Sequence, residues 1–351
     1  MFIFNRLQSF FNSMPTLKLK DLKSLIGKCK NFIKETKVKL NNLSTTNFNL
    51  GIYHFNKGNL NNAILRFKLV KQFDKRHKEL YKDLDYFLGR SYLEKLKYNK
   101  ARGLLENYMN NNPKFSEEAE YCLKIIKNEL HDIKFVPATI IDYKFNQQFD
   151  SYVKVAKNFE RKSPKNTIYE EIKEALEDDE KVFNYNMLDL GYGLGLVAYL
   201  LRKNQLLHFV LGVEINKNMV EYCKKLTINS NKVYSTIINQ DTKTFLNSKA
   251  KTDSKFDIIL GTNLISYSTD LKFLFTKLKS YIGKNGIMTF SFNAKQGDDG
   301  YNFDAKLENF IYNQDYVVKV AENCGWQIVK QEEIKARKKH YPQVTMVLKL
   351  K

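Results

Sequence analysis

Seven consecutive residues, Asp189-Leu190-Gly191-Tyr192-Gly193-Leu194-Gly195, carry the densest chemical signal in the chain. Glycine is needed where backbone turns with positive φ or must touch a ligand. The apolar run from Leu196 predicts a following helix that aims its amide groups and positive dipole end at that ligand. The spacing is not that of a dinucleotide fold, because Leu196 stands where the pattern GxGxxG requires glycine. Asp189 would repel a pyrophosphate and suits an ammonium instead. Glu214, 23 residues beyond Gly191 and at the end of the next predicted strand, is placed to accept hydrogen bonds from both hydroxyls of a ribose. Asp241, directly after a third strand, can accept from an adenine amino group, with Ile215 and Thr242 bordering the ring. A plain helix cap is the alternative for Asp241.

Ligands of open α/β sheets sit beyond the C-terminal strand ends, so the residues after the fourth predicted strand, Asn263, Ser266 and Tyr267, are the candidates for meeting a second substrate. That segment reads Gly261-Thr-Asn-Leu-Ile. It lacks the Asn/Asp-Pro-Pro-aromatic run that grips planar amines. It holds no cysteine for attack on a pyrimidine ring. The five histidines, His54, His77, His131, His208 and His340, are scattered, and no metal site is expected.

These residues need a scaffold of alternating strands and helices. The pattern predicts helix Thr167–Glu177, strand Asn186–Leu190, helix Leu196–Lys203, strand His208–Glu214, helix Lys217–Asn229, strand Val233–Asn239 and a short helix near Lys243. Strand Phe256–Leu260, helix Leu271–Ile282, strand Gly286–Phe292, an insert over 293–310 and helix Gln314–Cys324 follow. Strands Trp326–Ile334 and Val344–Leu350 close the run. An antiparallel hairpin ending a mostly parallel sheet is unusual for nucleotide-binding dehydrogenases. Residues 133–166 hold Pro137, Pro164 and aromatics including Phe149, Tyr152 and Phe159 without a sustained helical period, and read as a connector or lid.

Upstream lies a repeat. Leu50-Gly51, Ala63 and Phe67 recur as Leu88-Gly89, Ala101 and Leu105 at matching spacings. Small Gly and Ala let paired helices approach, with Phe67 or Leu105 filling the space between them. The chain thus divides into a basic N-terminal helical segment (1–40), helical repeats with a capping helix Ser116–Leu130 (41–132), the connector (133–166) and an α/β domain (167–351). Residues 15–40 can pack on the repeats or lie on a membrane as a basic amphipathic helix.

A length of 351 residues suits two domains. The net charge of +20 comes from 58 basic against 38 acidic residues; nearly all of the positive charge is Lys, and we read it as solvated surface ahead of an RNA-binding face. Four isolated cysteines, Cys29, Cys122, Cys223 and Cys324, fit a reducing compartment. A cytoplasmic protein is expected.

Asp189, the three glycines, Glu214 and Asp241 together resemble the Rossmann-like class I S-adenosylmethionine methyltransferases across roughly residues 165–351. With the repeats, the connector and Tyr312 through Leu350, nearly the whole chain resembles the predicted tetratricopeptide-repeat methyltransferases. The resemblance implies an all-α repeat domain before a mostly parallel α/β sheet with a closing antiparallel hairpin. It also implies S-adenosylmethionine bound by Asp189, Gly191, Gly193, Gly195, Glu214 and Asp241, to which Ile215 and Thr242 are added as the residues bordering the ring, and a protein partner for the repeats. Tyr192 and Leu194 depart from the smaller or polar residues common between those glycines. The acceptor is left open between a small molecule and a protein. RNA is one alternative, motivated by charge and by Lys335-Ala-Arg-Lys-Lys-His340; an inactive scaffold is another.

Overall fold

The computed structural model describes residues 19–74, 81–111, 114–162, 167–176, 184–248, 255–297, 300–334 and 341–351, which fall into two compact units, 1–113 and 114–351. The basic 335–340 turn, Pro113, Pro164, Leu17 and the side chain of Phe159 lie outside what is described.

The first unit is helical: α1 (Leu19–Asn56), α2 (Leu60–Phe73), α3 (Leu84–Glu94) and α4 (Tyr98–Met109). The separate helix expected to precede the repeats is continuous with the first repeat helix, since residues 19–56 contain no proline and no turn signal. On it Ile26 and Ile33 stand exposed. Both helix pairs use the predicted contacts. Ala63, Phe67, Ala101 and Leu105 are fully buried. A Cβ added at Gly51 would meet the Phe67 ring at 2.5 Å, and one at Gly89 would meet Leu105 at 2.9 Å. The two pairs are tied through one carboxylate: Asp85 accepts from Lys71 Nζ and from Asn107 Nδ2, each at 2.7 Å. Gly51→Val should therefore overpack this unit and cost about 1–3 kcal/mol. Gly27→Ala on the same helix, where an added Cβ meets nothing within 4 Å, should be neutral or stabilising. Urea unfolding of the two variants checks the contrast.

The second unit opens with α5 (Ser116–Lys127), the helix expected to cap the repeats, and α6 (Ala138–Lys162). The latter corrects the reading of 133–166 as lacking a helical period. Ile141, Phe145, Phe149, Tyr152 and Ala156 recur along it at helical spacing, and Asp142 and Asn146 bond Asn216. Helices α7 (Thr167–Leu176), α8 (Leu196–Lys203), α9 (Lys217–Cys223), α10 (Thr242–Asn247), α11 (Leu271–Leu278) and α12 (Gln314–Asn323) alternate with strands.

Those strands are β1 (Tyr185–Leu190), β2 (Leu207–Glu214), β3 (Thr227–Ile228), β4 (Asn231–Lys232), β5 (Thr236–Asn239), β6 (Phe256–Gly261), β7 (Ile282–Lys295), β8 (Tyr301–Asp304), β9 (Asn309–Asn313), β10 (Trp326–Ile334) and β11 (Gln343–Leu350). The main sheet runs β10-β11-β7-β6-β1-β2-β5, with β8 and β9 paired off the end of β7. Pairing is parallel from β7 to β5, and β11 is antiparallel to both β7 and β10. This is the Rossmann-like order with the predicted closing hairpin.

Two elements differ from expectation. Helix α9 stops at Cys223, and the β3–β4 hairpin follows where helix was expected to Asn229; Asn229 and Ser230 have positive φ, which turns the chain there. The insert over 293–310 folds as the end of β7 with β8 and the start of β9. Strands β1, β2 and β6 are buried almost throughout, as a sheet covered on both faces requires. The core they anchor includes Met187, Val210, Ile258 and Ile287.

Candidate functional site

Because β1, β2, β5 and β6 run parallel, their C-terminal ends open on one edge, and the residues just past them share a cavity of about 880 Å³. Asp189, Gly191, Gly193, Glu214, Ile215, Asp241, Thr242, Asn263, Ser266 and Tyr267 all line it. Gly195 is not among the lining residues.

The three glycines divide by role. All have positive φ, at 64°, 58° and 70° for Gly191, Gly193 and Gly195, a conformation L side chains avoid. A Cβ at Gly191 or Gly193 would point into open space, whereas one at Gly195 would strike the Tyr234 ring at 2.8 Å. The first two are open to a ligand. The third lets α8 approach Tyr234.

Asp189 is buried, and its Oδ2 accepts the Tyr234 hydroxyl at 2.7 Å. Loss of water around the carboxyl raises it from its ordinary 3.8 to about 7; the tyrosine bond opposes that rise and the negative charge of Glu214 adds to it. Such a group is poised to meet a cation. Tyr234 was not a site candidate from sequence, since the pair is 45 positions apart and only the strand order joins them.

Glu214 is also buried. Its Oε1 accepts Asn216 N at 2.9 Å, and Oε2 accepts Gly193 N at 3.0 Å. Burial raises this carboxyl, while those backbone bonds pull it down. Each oxygen keeps acceptor capacity for a ligand hydroxyl. Asn239 Nδ2 donates to the carbonyls of Glu214 and Ile215 at 2.9 and 2.8 Å, bracing that turn. Asp241 does cap a helix: its Oδ1 accepts Thr244 N at 2.9 Å, and it still lines the cavity.

The far end carries Asn263, Ser266 and Tyr267. Asn263 has φ 55°, its amide donates to Ser291 Oγ at 3.2 Å and its Oδ1 accepts Gln343 Nε2 at 3.3 Å. It is therefore held by neutral partners. Helix α6 contributes Ile141, Lys144, Phe145, Gln148, Tyr152 and Val155 to the wall. Asn216 clamps that helix: its Nδ2 donates to Asp142 Oδ1 at 2.9 Å and Asn146 Oδ1 at 2.8 Å. Of the aromatics expected in a lid, Tyr152 lines the cavity, while Phe149 packs with Leu194, Met219 and Ala156. Val136 N donates to Tyr267 O at 2.9 Å, so the strand-like 133–137 segment edges the same opening. Among the described residues no group of three His, Cys, Asp or Glu gathers as metal ligands. No helix among them is long and apolar enough to cross a membrane.

Residues 181–337 match the family model of a methyltransferase domain, and the enzyme is a methyltransferase on that match. No curated protein matches the chain. Similar solved structures include an S-adenosylmethionine-dependent methyltransferase from Clostridium acetobutylicum, 15% identical over 57% of this chain and 98% of that one, with TM-score 0.41. Magnesium protoporphyrin IX methyltransferase from Synechocystis with bound SAH is 14% identical over 60% and 98%, with TM-score 0.45. A SAM-dependent methyltransferase from Leishmania major is 17% identical over 61% and 78%, with TM-score 0.43. At such distances the reading of the site rests on its own residues.

Proposed function

We propose that the methyltransferase domain holds S-adenosylmethionine along Asp189, Gly191, Gly193, Glu214, Ile215, Asp241 and Thr242, and methylates a small molecule bound against Asn263, Ser266 and Tyr267. The observation that carries this is the single cavity joining both residue sets beneath α6. Its volume is at the upper end of the range for small-molecule sites, which suits a cofactor together with a compact acceptor.

The bound cofactor supplies an electrophilic methyl on a sulfonium that leaves as a neutral thioether. Asp189, oriented by Tyr234, would hold the methionine ammonium. Glu214 would accept the ribose hydroxyls on its remaining lone pairs. Ile215 and Thr242 would border the adenine, with Asp241 accepting from its amino group. Gly195 supports this site by seating Tyr234. Helix α6 would exclude water and restrict the acceptor to the line of attack.

An inactive scaffold is less well supported. The Tyr192 ring rests on Tyr234, with centroids 4.6 Å apart, and against Gly212. Leu194 packs with Ala156 and Met219. Both departures therefore have packing roles. For the first unit we read tetratricopeptide-like repeats that bind a protein, supported by the equivalent Gly51–Phe67 and Gly89–Leu105 contacts.

The test is calorimetry with S-adenosylmethionine, followed by incubation with methyl-labelled cofactor and a whole-cell extract. Micromolar binding and label in the metabolite fraction are expected. A folded protein that binds no cofactor would sink the reading, and label confined to RNA or protein would sink its small-molecule part.

A further inference from the structure

Three aromatic side chains face the acceptor end of the cavity: Phe145 and Tyr152 from α6, and Tyr267. The Phe145 centroid lies 6.1 Å from that of Tyr152 and 6.3 Å from that of Tyr267. Beside them Ser266 is 1% exposed, lines the same cavity, and its hydroxyl has no hydrogen-bond partner among the described residues. Asn309 Oδ1, also on the cavity wall, is buried and likewise unpartnered there. Buried polar groups are seldom left unpaired, so both are available to complete their bonding on a ligand.

The charges on the wall narrow what that ligand can be. Its two lysines are engaged: Lys144 Nζ donates to Leu307 O, and Lys243 Nζ lies 5.5 Å over the Phe135 ring. The carboxylates are committed too. Asp189, Glu214 and Asp241 belong to the cofactor end, Asp270 Oδ1 caps α11 through Phe273 N, and Glu117, which burial and Glu118 raise against the pull of Lys243, lies near Lys243, two residues on from Asp241. Burial raises the phenols of Tyr152 and Tyr267, so neither is a phenolate base at neutral pH. Among the described residues at this end no group is set to remove a proton from a hydroxyl nucleophile.

We propose that the acceptor is a planar nitrogen heterocycle, packed among Phe145, Tyr152 and Tyr267, which is methylated on one ring nitrogen while Ser266 hydrogen-bonds a second polar group of the same molecule. This rests on the methyltransferase reading above. The ring-nitrogen lone pair forms the new N–CH3 bond while the C–S bond breaks, and its electron pair goes to sulfur. The positive charge passes from the sulfonium to the ring nitrogen without any proton transfer. Aromatic faces then stabilise the cationic product.

The 351-residue protein is tested with S-adenosylmethionine and imidazole, pyrazine or pyridine-3-carboxamide, with phenol and benzoate as size-matched alternatives. Products are identified by mass spectrometry. At least one N-methyl heteroaromatic cation is expected. Ser266→Ala should raise KM for that heterocycle roughly tenfold, as loss of one hydrogen bond allows, without changing the affinity for S-adenosylhomocysteine. Tyr152→Leu, at a partly exposed site, should also raise KM and provides the answer if Ser266→Ala does not fold. Methylation of phenol or benzoate alone, methylation of none, or an unchanged KM in the variants overturns the proposal while tight S-adenosylhomocysteine binding preserves the cofactor reading. Failure to bind S-adenosylhomocysteine overturns both.

Discussion

Gly193→Arg should yield a folded protein that no longer binds S-adenosylmethionine, with affinity reduced by more than about 100-fold, or roughly 2.8 kcal/mol. Three effects act together. The residue has φ 58°, which costs a non-glycine side chain about 1–2 kcal/mol. Its Cβ would project into open cavity, so the arginine would occupy the space meant for the ligand and add a cation beside a sulfonium. Its amide bond to Glu214 Oε2 would also be strained. Gly195→Ala should behave differently. There the new Cβ would strike Tyr234 at 2.8 Å, so thermal stability should fall. Calorimetry with far-UV circular dichroism separates the cases, and retained micromolar binding by Gly193→Arg would contradict the assigned site.

The contrast between Gly193 and Gly195 marks where sequence becomes insufficient. Local pattern was enough for strand β1, helix α8, the turn between them and the acid at the end of β2, because each is set by neighbours a few residues away. It also sufficed for the closing hairpin, whose two strand-forming runs flank the short basic run 335–340. What it missed depends on contacts distant in sequence. Tyr234 meets Asp189 only because β2 lies between β1 and β5. Helix α6 was legible in the spacing of Ile141, Phe145, Phe149, Tyr152 and Ala156, but the flanking Pro137 and Pro164 favoured a connector; what no local pattern gives is that Asp142 and Asn146 grip Asn216 and that its aromatics serve both the cavity and the Leu194–Met219 cluster. The Asp241 alternatives were not exclusive, since one carboxylate caps α10 and faces the cavity.

Binding of S-adenosylmethionine should strengthen as pH rises through neutrality. In the unliganded protein Asp189 titrates near 7 because it is buried, so at pH 5.5 it is almost wholly neutral. An ammonium placed against it favours the carboxylate and lowers its pKa, and binding in this range releases a proton. Linkage then predicts a gain of about 25-fold between pH 5.5 and 7.5. The gain should end near pH 8, where an unperturbed α-amino group begins to lose its own proton. Stability of the unliganded protein runs the other way. A carboxyl raised from its ordinary 3.8 to about 7 contributes stability fully below the lower value, and that contribution is lost as pH climbs to the upper one. Asp189→Asn should weaken binding at pH 7.5 and flatten the affinity profile near neutrality. It should also remove this part of the pH-dependent loss of stability. Calorimetry in two buffers of different ionisation enthalpy measures the released proton directly, and a wild-type profile flat from pH 5.5 to 7.5 would show that Asp189 does not face the ammonium.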